Sequence, residues 1–116
     1  MRTVKTLYIA GPMSGYPNFN YPAFHAAENM LIENGYAVLS PAPEKVIPDT
    51  WDNYLRASIR QVLDASGVAC LPGWEMSPGA RLEVDIAHKL RIPVLPLTVW
   101  LSNANLPSAT PGLPSA

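Results

Sequence analysis

"GVACLPGWEMSPGARLEVDIAHKL", residues 67 to 90, decides the fold, because it holds a strand, a loop and a helix in immediate succession. Gly67 to Gly73 is an apolar run that ends in proline and glycine, which predicts a strand buried on both faces. Ser77 before Pro78 is a helix start: a hydroxyl caps exposed N–H groups, and proline stands where no N–H is needed. At roughly 100° per residue, Ala80, Glu83, Ile86, Ala87 and Leu90 share one side of that helix. Arg81, Asp85, His88 and Lys89 fall on the other. Glu83 is therefore the only charge in the middle of the apolar stripe. A helix that aims a carboxylate at its own core needs a reason.

The same alternation extends to both ends of the chain. "TLYIAG" (6–11) is a short apolar strand, and "YPAFHAAENMLIENG" (21–35) a helix with Phe24, Ala27 and Leu31 inward and Gly35 as its stop. "YAVLSP" (36–41) is the second strand. "TWDNYLRASIRQVLDAS" (50–66) predicts a helix capped by Thr50 or Asp49, with Leu55, Ile59, Val62 and Leu63 as its apolar stripe. "IPVLPLTVW" (92–100) predicts a last strand, or two short ones. Strands that are apolar throughout and alternate with helices define an α/β fold, a central parallel sheet of four to five strands covered on both faces. Residues 1–100 form one domain, and "LSNANLPSATPGLPSA" (101–116) is a disordered tail or an arm that packs on a neighbouring subunit.

A chain of 116 residues, 48% hydrophobic and 15% charged, buries a real core. A net charge of −1 gives no footprint for duplex nucleic acid. No apolar run approaches the roughly 20 residues of a membrane span, and a strand begins too early for a signal peptide. The single cysteine, Cys70, cannot form an internal disulfide and fits a reducing cytoplasm as a small buried hydrophobe. The thirteen prolines cluster between the periodic segments, as loop punctuation.

In a parallel sheet, ligands bind at the carboxyl ends of the strands, where strand order reverses. The loops leaving those ends hold most of the polar surprises: "GPMSGYPNFN", "PAPEKVIP" and "PGWEMSPG". The first is a phosphate or sugar cradle or a proline-ordered connection, with Gly11, Pro12, Met13, Ser14, Gly15 and Asn18 as its candidates. It lacks both the dinucleotide fingerprint and the Walker A sequence. Trp74 is a platform for a base or an aromatic plug over the sheet edge. Ser77 and Gly79 stand at a helix start, where an anion is favoured. No His or Cys cluster accompanies Glu83, so neither a metal nor a cofactor is expected. Glu83 is a buried structural acid or a catalytic carboxylate that attacks an electron-poor sugar carbon. Tyr8, in the first strand, is a core tyrosine or the partner of Glu83.

"LYIAGPMSG", "LPGWEMSPGARLEVDIA" and "IPVLPL" together resemble the nucleoside 2-deoxyribosyltransferase superfamily, and more closely a small phage and bacterial branch of it. The resemblance spans roughly residues 4 to 98. It implies a flavodoxin-like, Rossmann-like three-layer sandwich, a homo-oligomer (dimer or higher) with shared sites, and cleavage of the N-glycosidic bond of a nucleoside or nucleotide. It implies Glu83 as nucleophile and Tyr8 as the strand-one tyrosine that contacts it. In the transferases an acid six residues before the nucleophile holds the sugar's 5′ end. Ser77 stands there instead, as in related nucleotide hydrolases whose serine binds a 5′-phosphate. The family's base-side aspartate falls near Ser58, which cannot protonate a leaving base. The partner's C-terminal region implies Asn103 or Asn105 as a further contributor.

Three functions are thus expected in descending order. They are an enzyme acting at the sugar–base bond through Glu83, a non-catalytic nucleotide-binding module, and hydrolysis of a nicotinamide–ribose bond. The partner is a small nucleoside or nucleotide, with no duplex nucleic acid and no membrane.

Overall fold

The computed structural model describes residues 5–41 and 50–104. Its elements alternate as the hydrophobic pattern requires: β1 Thr6–Ala10, α1 Tyr21–Glu33, β2 Ala37–Leu39, α2 Trp51–Asp64, β3 Gly67–Cys70, α3 Pro78–Lys89, β4 Val94–Pro96 and α4 Leu97–Ala104. Short 3₁₀ turns, Pro17–Asn20 and Trp74–Met76, precede α1 and α3. The four strands lie in the order β2-β1-β3-β4, and every pair is parallel. Strand order reverses between β1 and β3, which sit side by side at the centre.

Side chains of β1 alternate between two cores because successive strand residues point to opposite faces. Leu7 and Ile9 join Phe24, Ala27 and Leu31 of α1 and Trp100 of α4. Tyr8 and Ala10 join Val62 of α2 and Ala80, Val84 and Ala87 of α3. Three layers result, with α1 and α4 on one face and α2 and α3 on the other. This is why β1 beyond Thr6 and all of β3 are apolar: neither face meets water. The flavodoxin-like sandwich and the parallel sheet implied by the sequence are what the chain forms.

Helix starts follow their local chemistry. The Ser77 hydroxyl accepts from the Ala80 N–H at 3.2 Å, with Pro78 in the first turn. Thr50 caps α2, accepting from the Asn53 N–H at 3.4 Å; Asp49, the other candidate cap, lies outside the described residues. Leu63 departs from the expected stripe and is 55% exposed. One step past Val62 turns it to the edge of the helix, so Ser58, not Leu63, completes the inward face with Val62.

The chain's end also differs from its expected form. Only Val94–Pro96 extends, and residues 97–104 are helical, through the boundary expected at residue 100. Leu97, Trp100 and Leu101 recur at helical spacing and all pack on the α1-side core. The Trp100 indole N–H donates to the Val68 carbonyl at 2.8 Å, and the Tyr36 hydroxyl donates to the Trp100 carbonyl at 2.9 Å. The Tyr36 and Trp100 rings meet edge to face at 6.0 Å. A strand could not have carried this indole back over the sheet.

Candidate active site

The loops after β1, β2 and β3 and the first turns of α2 and α3 enclose a cavity of about 550 Å³. It lies at the carboxyl ends of the strands, where the reversal of strand order parts α2 from the loop after β1.

Glu83 forms part of its floor. It sits in the second turn of α3, is only 6% exposed, and shares the inward face with Ala80, Val84 and Ala87. Burial pushes its carboxyl up to about 7, against the downward pull of Ser58 and Tyr8. Tyr8 lies beneath, fully buried on the β1 face that looks toward α2 and α3. Burial first, and then the charge of Glu83, raises its phenol well above the ordinary value. The Tyr8 hydroxyl is close enough to interact with both Glu83 and Ser58, yet makes no hydrogen bond of good geometry. A buried, unpaired hydroxyl costs about 1–3 kcal/mol. The Ser58 hydroxyl, almost equally buried, donates to the Leu55 carbonyl within its own helix at 3.0 Å.

Of the loop residues expected to bind a ligand, Gly11, Pro12, Met13 and Ser14 line the cavity; Gly15 and Asn18 do not. Gly11 is required by packing, since a Cβ there would stand 2.9 Å from the Leu71 Cβ. Gly15 has φ +84, a left-handed turn conformation that glycine adopts freely, with open space around it. Asn18 begins a run of left-handed residues, Asn18, Phe19 and Asn20, with φ of 51, 53 and 62. Asparagine tolerates this region; phenylalanine does so only under constraint. The constraint is visible: Phe19 N–H donates to the Tyr16 carbonyl at 3.0 Å, and Asn20 Nδ2 donates to the Pro12 carbonyl at 2.9 Å.

Ser77, Gly79 and Ser58 also line the cavity. The Ser77 hydroxyl accepts from the Ala80 N–H at the mouth of α3. Trp74 does not reach the cavity. It packs against the α2–α3 core and borders a shallow depression with Glu75, Arg81 and His88 on the outer side of α3. The plug, not the platform, is its role in the fold. Asn103 is exposed on α4, and Asn105 lies outside the described residues. Cys70 is buried and free, its thiol pushed up to about 12 by burial and then by Glu75 and Glu83.

An aromatic wall was missed in the sequence. Tyr16, Phe19, Tyr21, Trp51 and Tyr54 all line the cavity. The signal existed in "GYPNFNY", with three rings in one strand-end loop, and in Trp51 and Tyr54 at helical spacing on the first turn of α2. Among the described residues no cluster of three metal-ligating side chains occurs, and no helix is long and apolar enough to cross a membrane.

A nearly buried carboxyl at the reversal point of a doubly covered parallel sheet marks the chain as a flavodoxin-like α/β protein with a cavity at its strand ends. The chain belongs to the family described as "Domain of unknown function (DUF4406)", whose model matches residues 5–96. Among solved structures it is similar to the 2-deoxyribosyltransferase of the psychrotolerant bacterium Bacillus psychrosaccharolyticus. That likeness has a TM-score of 0.63 at 18% identity, over 90% of this chain and 94% of that one. No curated protein matches. The likeness in structure is one of fold.

Proposed function

We propose that the chain cleaves or transfers at the N-glycosidic bond of a (deoxy)nucleoside 5′-monophosphate or nucleoside, with Glu83 as nucleophile. The observation that carries this is Glu83 itself, a nearly buried carboxyl on the floor of a cavity at the strand ends, with its pKa raised to about 7. Its carboxylate would attack C1′ of the sugar as the bond to the base nitrogen breaks, giving a glycosyl ester that water or a second base then resolves. Tyr8 is the positioning residue. Its unpaired hydroxyl gains an acceptor when Glu83 ionises, so it holds the carboxylate in place and favours the charged form. The loop Gly11–Ser14 would cradle the sugar, and Ser77 with Gly79 would take a 5′-phosphate at the start of α3.

A homo-oligomer that completes its site across an interface, in a cytoplasm of phage or bacterial origin, belongs to the same proposal and rests on the sequence resemblance. A non-catalytic nucleotide-binding module is the alternative, and one residue favours it: Ser58, engaged with Leu55, supplies no acid to a leaving base.

Chromatographic detection of base release from a panel of deoxynucleoside and ribonucleoside 5′-monophosphates tests the proposal. Release by the wild type that vanishes in Glu83→Ala is the expected result. Unchanged release in that variant would overturn the nucleophile, and thermal shifts without release would favour the binding module.

A further inference from the structure

We propose that the base this cavity takes is a cation, a ring quaternised by the bond to the sugar or by N-alkylation, enclosed by the rings of Tyr16, Phe19, Tyr21, Trp51 and Tyr54 above Glu83. The proposal rests on Glu83 as the nucleophile and adds the class of its leaving group.

Three observations converge. The first is the aromatic wall. Five rings from the β1 loop and the start of α2 meet at one cavity, and the Phe19 and Tyr21 centroids are 6.0 Å apart. Ring faces are electron-rich, and several of them around one volume recognise a cation that is too weakly hydrated to stay in water. Phe19 is held there in a left-handed conformation that phenylalanine otherwise avoids, and it is 60% exposed, as is Trp51 at 62%. Rings so placed serve what enters the cavity better than they serve the core.

The second is charge. Among the described lining residues Glu83 is the one ionisable acid, and no Lys, Arg or His stands beside it. Nor do the described lining residues include an Asn, Gln or Asp to read the edge of a neutral base. Glu83 carries a pKa near 7, so a cation arriving above it would draw it into the carboxylate form that attacks.

The third is the fate of the leaving group. A neutral purine or pyrimidine departs well only when an acid supplies a proton. Ser58, the hydroxyl beside Glu83 in the cavity, already donates to Leu55. A quaternised base needs no such proton. As the Glu83 oxygen bonds to C1′, the C1′–N pair returns to the ring nitrogen, and the base leaves neutral. Water then opens the ester, restoring Glu83, leaving a hydroxyl on C1′ and releasing one proton to solvent.

The test compares ligands of one shape and two charges. Nicotinamide mononucleotide has a cationic pyridinium ring, and its reduced dihydro form has a neutral one. Both are titrated calorimetrically into the Glu83→Gln protein, which cannot turn them over. The cation should bind at least about tenfold tighter. Trp51→Leu in the same background, a change at an exposed side chain, should erase most of that ratio. Equal affinities, tighter binding of the reduced form, or no binding of either would overturn the proposal.

Base release by the wild type separates it from the nucleophile assignment. The second matched pair is 7-methylguanosine 5′-monophosphate and guanosine 5′-monophosphate. Release that depends on Glu83 but shows no preference for the cationic member, after correction for uncatalysed rates, would sink the cation and leave the nucleophile. A binding preference without release from any substrate would keep the cage and sink the nucleophile.

Discussion

Tyr8 on β1 and Glu83 on α3 are coupled in opposite senses across the cavity floor: the phenol lowers the carboxyl's pKa, and the carboxylate raises the phenol's. Burial raises both, which keeps the phenol neutral and poises the carboxyl between its two forms near neutral pH. Because the Tyr8 hydroxyl is otherwise unpaired, Tyr8→Phe removes a buried polar group at little structural cost. Stability should hold or rise by up to about 1 kcal/mol. The pH midpoint of activity should move upward, because Glu83 loses a donor. A fall of the midpoint, followed by rate against pH, would refute the coupling.

Glu83 itself makes stability depend on pH. Its folded pKa of about 7 lies above the ordinary value of 4.5, so the folded state binds the proton more tightly than the unfolded chain. That stabilisation is complete below pH 4.5 and is lost as pH rises to about 7, a span on the order of 3 kcal/mol. Glu83→Gln, neutral throughout, should match the wild type near pH 4.5 and melt at a higher temperature at pH 8. Parallel melting curves at both pH values would contradict the burial of a titrating carboxyl.

Ser77 caps α3 and, under the proposed function, meets a 5′-phosphate, and two substitutions separate the two. Ser77→Ala loses the cap on Ala80, costing about 1 kcal/mol, and also loses the hydroxyl proton offered to a ligand. Ser77→Asp keeps the cap and suits the helix dipole, but repels a phosphate. Thermal shifts with nucleoside monophosphates should therefore collapse in Ser77→Asp while those with nucleosides persist. Equal loss for both ligands would remove the phosphate from this helix start.

Phe19 sets binding against stability. Phe19→Asn places a residue that accepts left-handed backbone at φ 53 and should gain roughly 0.5–1 kcal/mol. Ligand affinity should fall several-fold at the same time, as one ring leaves the wall. A variant that is less stable and binds equally well would show that the ring serves the fold instead.

The layers, the sheet and the α3 start were legible because their signals are local: apolar runs between glycines and prolines, a serine before a proline, a charge inside a stripe. The inward turn of Glu83 follows from helical period alone. What was not legible depends on tertiary proximity. α4 was hidden because Pro93 and Pro96 break an apolar run that could extend or coil, and only the α1-side core rewards the spacing of Leu97, Trp100 and Leu101. The aromatic wall was hidden for a similar reason, since its rings come from two segments thirty residues and more apart. Trp74 misled because a tryptophan in a strand-end loop looks the same whether it faces the cavity or, as it does, the outer side of α3. Gly15 and Asn18 were drawn in by their loop, whose backbone they shape without touching the cavity.

Trp100 gives the evolutionary module and the physical module different ends. The family model stops at residue 96, yet the indole that closes one face of β1 and β3 comes four positions later. A chain cut to the family match would lose Leu97, Trp100 and Leu101 from the core that holds Leu7, Ile9 and Ala69. A fragment that keeps this core closed must run at least through Trp100.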